Sequence, residues 1–196
     1  DGTATSGSPT VIGGGSVSNG FIYTSPSVGG ATFTAAYAND NGGNAVEESY
    51  TDFAIAISPE AMEGLTIGYA SSDNQTGVAI DQNKSTMYAK YAFGAFTVGV
   101  QSSDLDHTTA NSDQESMAYG ITYAVNDDIS VGYSYHEVEF ESGASLSDQE
   151  STGISASYTM GGMTLAGATN EVDNRAGNAA AASDIEGYEF TLSFAF

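Results

Sequence analysis

The sequence predicts an all-β chain, an antiparallel transmembrane β-barrel, and three observations support that class. Large apolar and small polar residues alternate with a period of two almost everywhere, while helical i, i+3, i+4 spacing is scarce. The connections between alternating runs are short and long by turns, the pattern produced by tight turns on one side of a membrane and loops on the other. Tyr and Phe gather towards the ends of runs on the apolar parity, where interfacial girdles require them.

The elements follow in order. FIYTS (21–25) opens weakly, and ATFTAAYA (31–38), DFAIAIS (52–58), LTIGYAS (65–71), STMYAKYAF (85–93) and FTVGVQS (96–102) continue clearly. SMAYGITYAV (116–125), ISVGYSYHE (129–137), TGISASYTM (152–160), MTLAGATN (163–170) and YEFTLSFAF (188–196) complete about eleven strands. Most are roughly 8–10 residues long, near the ~9–11 that a tilted strand needs to cross a bilayer. Parity holds within each run. Met117, Tyr119, Ile121 and Tyr123 oppose Ser116, Ala118, Gly120 and Thr122. Short connections are expected at 27–30, 59–64, 94–95, 126–128 and 161–162, and long ones at 39–49, 72–84, 103–115, 138–151 and 171–187. A soluble sandwich also alternates, but a Greek key has no reason to keep short and long connections in step.

Composition narrows the function classes. The 196 residues contain 3 Lys plus Arg against 25 Asp plus Glu, a formal net charge of −22. That field repels nucleic acid and attracts cations. No cysteine is present, which excludes disulfides and thiolate chemistry. No apolar stretch approaches the roughly 18–20 residues of a spanning helix. A mean hydropathy of −0.16 decides nothing, because only alternate residues of a barrel strand meet lipid.

The stretch FIYTSPSVGGATFTAAYAND (21–40) resembles Gram-negative outer-membrane general porins, particularly the alphaproteobacterial type. There a Tyr-x-Ser-Pro strand runs to a short turn and a strand ending in Tyr; here Tyr23, Ser25, Pro26, Gly29, Gly30 and Tyr37 fit. The terminal alternation ending on Phe196 looks like that family's last strand, which the outer-membrane assembly machinery reads. The resemblance implies a sixteen-stranded barrel of which this chain is the C-terminal part, with residues 1–20 the tail of an infolded constriction loop and 21–196 barrel strands. It also implies a homotrimer in outer-membrane lipid. Strand counting agrees with a fragment, since an odd number of strands would put the two ends on opposite sides. The alternative is an added strand over 10–17, making a small twelve-stranded specific channel.

Parity places Asp52, Lys90, Gln101, His136 and Glu189 on the small, polar side of their strands, so these are the candidate pore-lining residues. Lys90 is the most informative, because a lipid-facing charge would cost roughly 2–4 kcal/mol at the midplane. The stretch 16–26 lacks the basic residues that the resemblance would imply, and the excess of acids predicts cation preference. The acidic stretches 39–48 and 104–115 offer oxygens for Ca²⁺ at external loops, without matching the calcium-loop spacing. Arg175 is expected to pair with a nearby acid. His107 and His136 lie apart in sequence and 13–15 lacks the Lys of a phosphate loop, so no enzyme, catalytic residue or cofactor is expected. The expected function is passive diffusion of small hydrophilic solutes and ions through a water-filled channel. The competing reading is a non-channel cell-surface β protein, such as an adhesin or carbohydrate-binding module.

Overall fold

Eleven strands follow one another through the computed structural model, which describes residues 20–39, 49–76, 80–141, 146–180 and 183–195. They are β1 (Gly20–Thr24), β2 (Ala31–Asn39), β3 (Ser49–Ile57), β4 (Leu65–Thr76), β5 (Ile80–Phe93) and β6 (Phe96–His107). Then come β7 (Gln114–Ala124), β8 (Ile129–Phe140), β9 (Gln149–Met160), β10 (Met163–Asp173) and β11 (Ile185–Phe194). Each pairs antiparallel with its sequence neighbours in a single sheet of order β1 to β11. Among the described residues β1 pairs only with β2, and β11 only with β10. Among the described residues no helix is long and apolar enough to cross a membrane.

The turns at one end are built from residues that tight reversals need. Gly94 (φ 55°) and Gly161 (φ 61°) open the two-residue turns 94–95 and 161–162, where positive φ suits the right-handed strand twist. Between β7 and β8 the Asn126 side chain accepts from the backbone N–H groups of Asp128 and Ile129, at 2.9 and 2.8 Å, an Asx turn.

At the other end the expected loops are shorter than periodicity suggests. The connection expected over 72–84 is almost all strand: β4 runs to Thr76 and β5 begins at Ile80. β6, β8 and β10 likewise continue to His107, Phe140 and Asp173. The reason is physical. Backbone pairing needs no apolar face, so the ladder goes on after the alternating signal has vanished into Ser, Asn and Asp. Residues 1–19, and so most of the expected constriction-loop tail and the expected strand over 10–17, lie outside the described residues, as does Phe196.

Two faces of opposite chemistry result. One parity presents Phe53, Ile55 and Ile57 on β3, Ile121 and Tyr123 on β7, and Tyr188, Phe190, Leu192 and Phe194 on β11, all exposed. Tyr188 is 82 % and Phe190 75 % exposed. A continuous apolar surface of this kind marks a membrane or partner contact. Near the short-turn end its rings stack from strand to strand, Phe93 on Phe96 at 5.7 Å and Phe96 on Tyr123 at 4.7 Å.

The apolar band crosses the hydrogen-bonded rows obliquely. Phe53, Ser71, Ser85, Asp104, Glu115 and Glu139 are successive register partners from β3 to β8. Along that one row the side chains change from aromatic to acidic. A band of constant height must therefore slant across the rows, as it does when strands tilt by roughly 35–45°.

Candidate functional site

The opposite parity carries the candidate site. Thr32, Thr34 and Ala36 on β2 begin it, and Gly187, Glu189, Thr191 and Ser193 on β11 end it. Small residues and hydroxyls dominate, and the hydroxyls pair with one another across strands. Thr86 Oγ1 donates to Ser103 Oγ at 2.9 Å, Ser130 and Ser157 share a hydrogen bond at 2.8 Å, and Thr159 and Thr164 another at 3.0 Å. Such pairs satisfy the polar face without large side chains and leave space above it.

The register shows which predicted residues come together. Tyr88, Gln101, Ala118, His136 and Ser151 are successive partners from β5 to β9. Gln101 and His136 therefore share a row, two strands or roughly 10 Å apart. Lys90 lies one step along β5 from Tyr88, opposite Gly99. All three border a shallow concavity of about 490 Å³, with Tyr88, Thr97, Ser134 and Ser155, over a floor that includes Gly99, Gly120 and Gly132. Asp52 and Glu189 share the parity but stand apart, on β3 and β11. Glu189 accepts a hydrogen bond from Thr191 at 3.2 Å.

Three aromatic residues stand on this face among the described strands, Tyr50, Tyr88 and Phe140. The Tyr88 ring lies across Gly68 on β4, where any Cβ would collide with it. Gly68 therefore allows the ring to lie against the sheet. Alternation misses Tyr50 because the clear run begins only at Asp52. Its hydroxyl donates to Asp52 Oδ2 at 2.9 Å, and the two positions are i and i+2 on one strand, hence on one side. A Tyr two residues before an inward acid is the signal that could have found it.

Charge is distributed unevenly between the faces. Among the described strand residues the acids of the polar parity are Asp52 and Glu189. Asp104, Glu115, Glu137, Glu139, Glu150 and Glu171 belong to the opposite parity, beyond the apolar band. There Tyr135 donates to Glu137 Oε2 at 2.6 Å and Ser85 to Asp104 Oδ2 at 3.2 Å. Lys84, opposite Ser72, and Lys90 are the basic residues of the polar parity. Most of the acidic excess therefore lies off the polar face.

The remaining expectations fall differently. Among the described residues no group of three or more His, Asp or Glu side chains is arranged to hold a metal ion. The stretch 40–48 lies outside the described residues. Asp113 is engaged locally, accepting from the His107 backbone N–H at 2.7 Å. Arg175 departs from expectation, with no ion pair to an acid among the described residues.

The family model described as Gram-negative porin matches residues 1–175, most of the chain. The chain belongs to the Gram-negative porin family. It is accordingly an outer-membrane protein, and the apolar parity of its strands is the surface suited to lipid. No curated protein matches the porin's sequence. Among solved structures it is similar to in-vitro folded OmpT, an outer membrane protein of Vibrio cholerae, with TM-score 0.65 and 14 % identity over 89 % of this chain and 63 % of that one. OmpT in its trimer form gives TM-score 0.60 and 15 % identity, with the same coverage. The NanC porin gives TM-score 0.53 and 11 % identity, over 90 % of this chain and 97 % of that one. The porin chain thus spans less than two thirds of the length of the OmpT structures.

Proposed function

We propose that the polar parity lines a water-filled lumen through which small hydrophilic solutes and ions diffuse passively across the outer membrane. The observation that supports this is the segregation of the strand faces. Strand after strand sets exposed Phe, Tyr, Ile and Leu on one side and Ser, Thr, Gly and a few charges on the other. Lipid suits the first face and water the second. Asp52, Lys90, Gln101, His136 and Glu189 are then lumenal. The process has no chemical step and needs no cofactor, only steric sieving and the field of lumenal charges.

Cation preference is proposed in a weaker form than net charge suggests. On the polar parity the acids Asp52 and Glu189 are matched in number by Lys84 and Lys90, and most acids stand on the other face, where water and salt screen them over ~8 Å. A homotrimer is proposed from the family and from the trimer form of OmpT, with recognition of Phe196 by the assembly machinery. The test is conductance across a planar bilayer by the intact porin purified in detergent. Discrete current steps and a modestly cation-selective reversal potential in a salt gradient are expected. A folded protein that inserts without conducting would refute the channel, and an anion-selective potential would refute the preference. Loss of a slow-migrating species on boiling checks the oligomer.

A further inference from the structure

The polar face holds two large, fully buried side chains next to one another. Val138 on β8 and Gln149 on β9 are register partners on that face, and both are 0 % exposed. Val172 on β10, opposite Ser151, is buried on the same face. The small residues Ala36, Ala38 and Ser103 are buried on this face too, but Gln149 has in addition a segment bonded over it. That segment begins the connection between β10 and β11 and contains the one-turn 3₁₀ helix Arg175–Gly177.

The connection is held down by specific bonds. Ala176 N–H donates to Gln149 Oε1 at 3.0 Å, which pins the helix above the polar side of β9. Asn174 Nδ2 donates to the Asp148 carbonyl and Asn174 N–H to Asp184 Oδ1, each at 3.0 Å. The Gly177 carbonyl accepts from Ser147 N–H at 3.0 Å. Gly177 (φ 77°) packs so close to Leu146 that a Cβ there would fall 2.9 Å from the Leu146 Cβ. Both the left-handed backbone and the contact demand glycine.

Given a lumen on this face, as proposed above, we infer that the segment around Asn174–Gly177 is a fixed shelf across part of the outer mouth, and that Arg175 on it determines how readily anions enter relative to cations. Arg175 is half-buried and pairs with no acid among the described residues. A guanidinium at a mouth makes the local field less favourable to cations and more favourable to anions than it would be without it. Asp148 and Asp184, both bonded to the neighbouring Asn174, lie within the same Debye length, so Arg175 offsets their charge and its removal leaves this part of the mouth acidic. Gln149 positions the shelf by accepting from its backbone, and Arg175 supplies the charge.

Single-channel recording on the intact porin tests both parts, with loss of the slow-migrating species on boiling as the folding control. Arg175→Gln leaves the shelf in place, so conductance should stay unchanged while the cation-to-anion permeability ratio rises roughly twofold. Arg175→Lys should restore the original ratio. Gln149→Ala releases the shelf, so conductance should rise roughly 1.5-fold with added current noise. If the wild-type protein conducts and the folded Arg175→Gln and Gln149→Ala proteins match it in both readouts, the inference is overturned while the channel stands. If the wild-type protein inserts and does not conduct, the channel reading falls and takes this inference with it.

Discussion

The two ends of the strands are built on different rules. At the short-turn end, Gly94 and Gly161 close hairpins in two residues, and rings stack across the apolar parity through Phe93, Phe96 and Tyr123. At the long-connection end the same strands run on into Asp104, Glu115, Glu137 and Glu139, hold together by backbone pairing, and carry a shelf over the opposite face. Lipid dictates the first end, because every outward side chain there must be apolar. Water dictates the second, where the outward parity is free to be acidic. A side chain's height along its strand, as well as its parity, therefore decides what it can be.

The largest expected effect comes from exchanging those rules. Ile121→Arg puts a charge on the outward parity between Tyr119 and Tyr123 and should cost roughly 2–4 kcal/mol of folding stability. Glu139→Arg makes an equally drastic change beyond the band and should stay within about 0.5 kcal/mol. Urea titrations of folding into lipid vesicles measure both, and equal losses would show that height does not matter. Next comes the ring stack. Phe96→Ala removes the ring between Phe93 and Tyr123 and should cost roughly 1–3 kcal/mol in the same assay, whereas removal of the Glu115 side chain should cost little.

The contrast also explains what could be read in advance. Strand number, order and faces were legible, because a residue such as Tyr119 reports its side through its immediate neighbours. The parity of Asp52, Lys90, Gln101, His136 and Glu189 follows from the same period. Strand ends were not legible where polar ladders replace alternation, as at Thr76 and Ile80, since backbone pairing leaves no mark on side-chain type. Tyr50 was missed for that reason. The shelf was invisible for another. Gln149 is a polar residue whose partner, the Ala176 amide, lies 27 residues away, and only the folded register brings them together. The rows that set Gln101 and His136 beside one concavity are also products of register, which no single strand contains.

A smaller effect is expected from Gly68. Valine there would collide with the Tyr88 ring and push it off the sheet, so Gly68→Val should lower single-channel conductance while changing stability less than Ile121→Arg. An unchanged conductance would mean that Tyr88 does not border the path of the ions.

The smallest differences separate acids and bases by face. Lys90→Gln removes a basic group from the polar parity, where no acid among the described residues pairs with it. Its loss should move the reversal potential of the channel towards cation selectivity. Glu115→Gln removes a charge from the opposite parity, on the same sheet and at a similar cost in side-chain volume. With the wall between it and the lumen and a Debye length of ~8 Å in physiological salt, it should leave the reversal potential where it was. Lowering the salt to about 0.01 M lengthens the screening distance to ~30 Å, and only then should Glu115→Gln begin to shift the potential towards anions. If Glu115→Gln instead matches Lys90→Gln in size at high salt, selectivity is a property of total charge, and the separation of the two faces has no part in it.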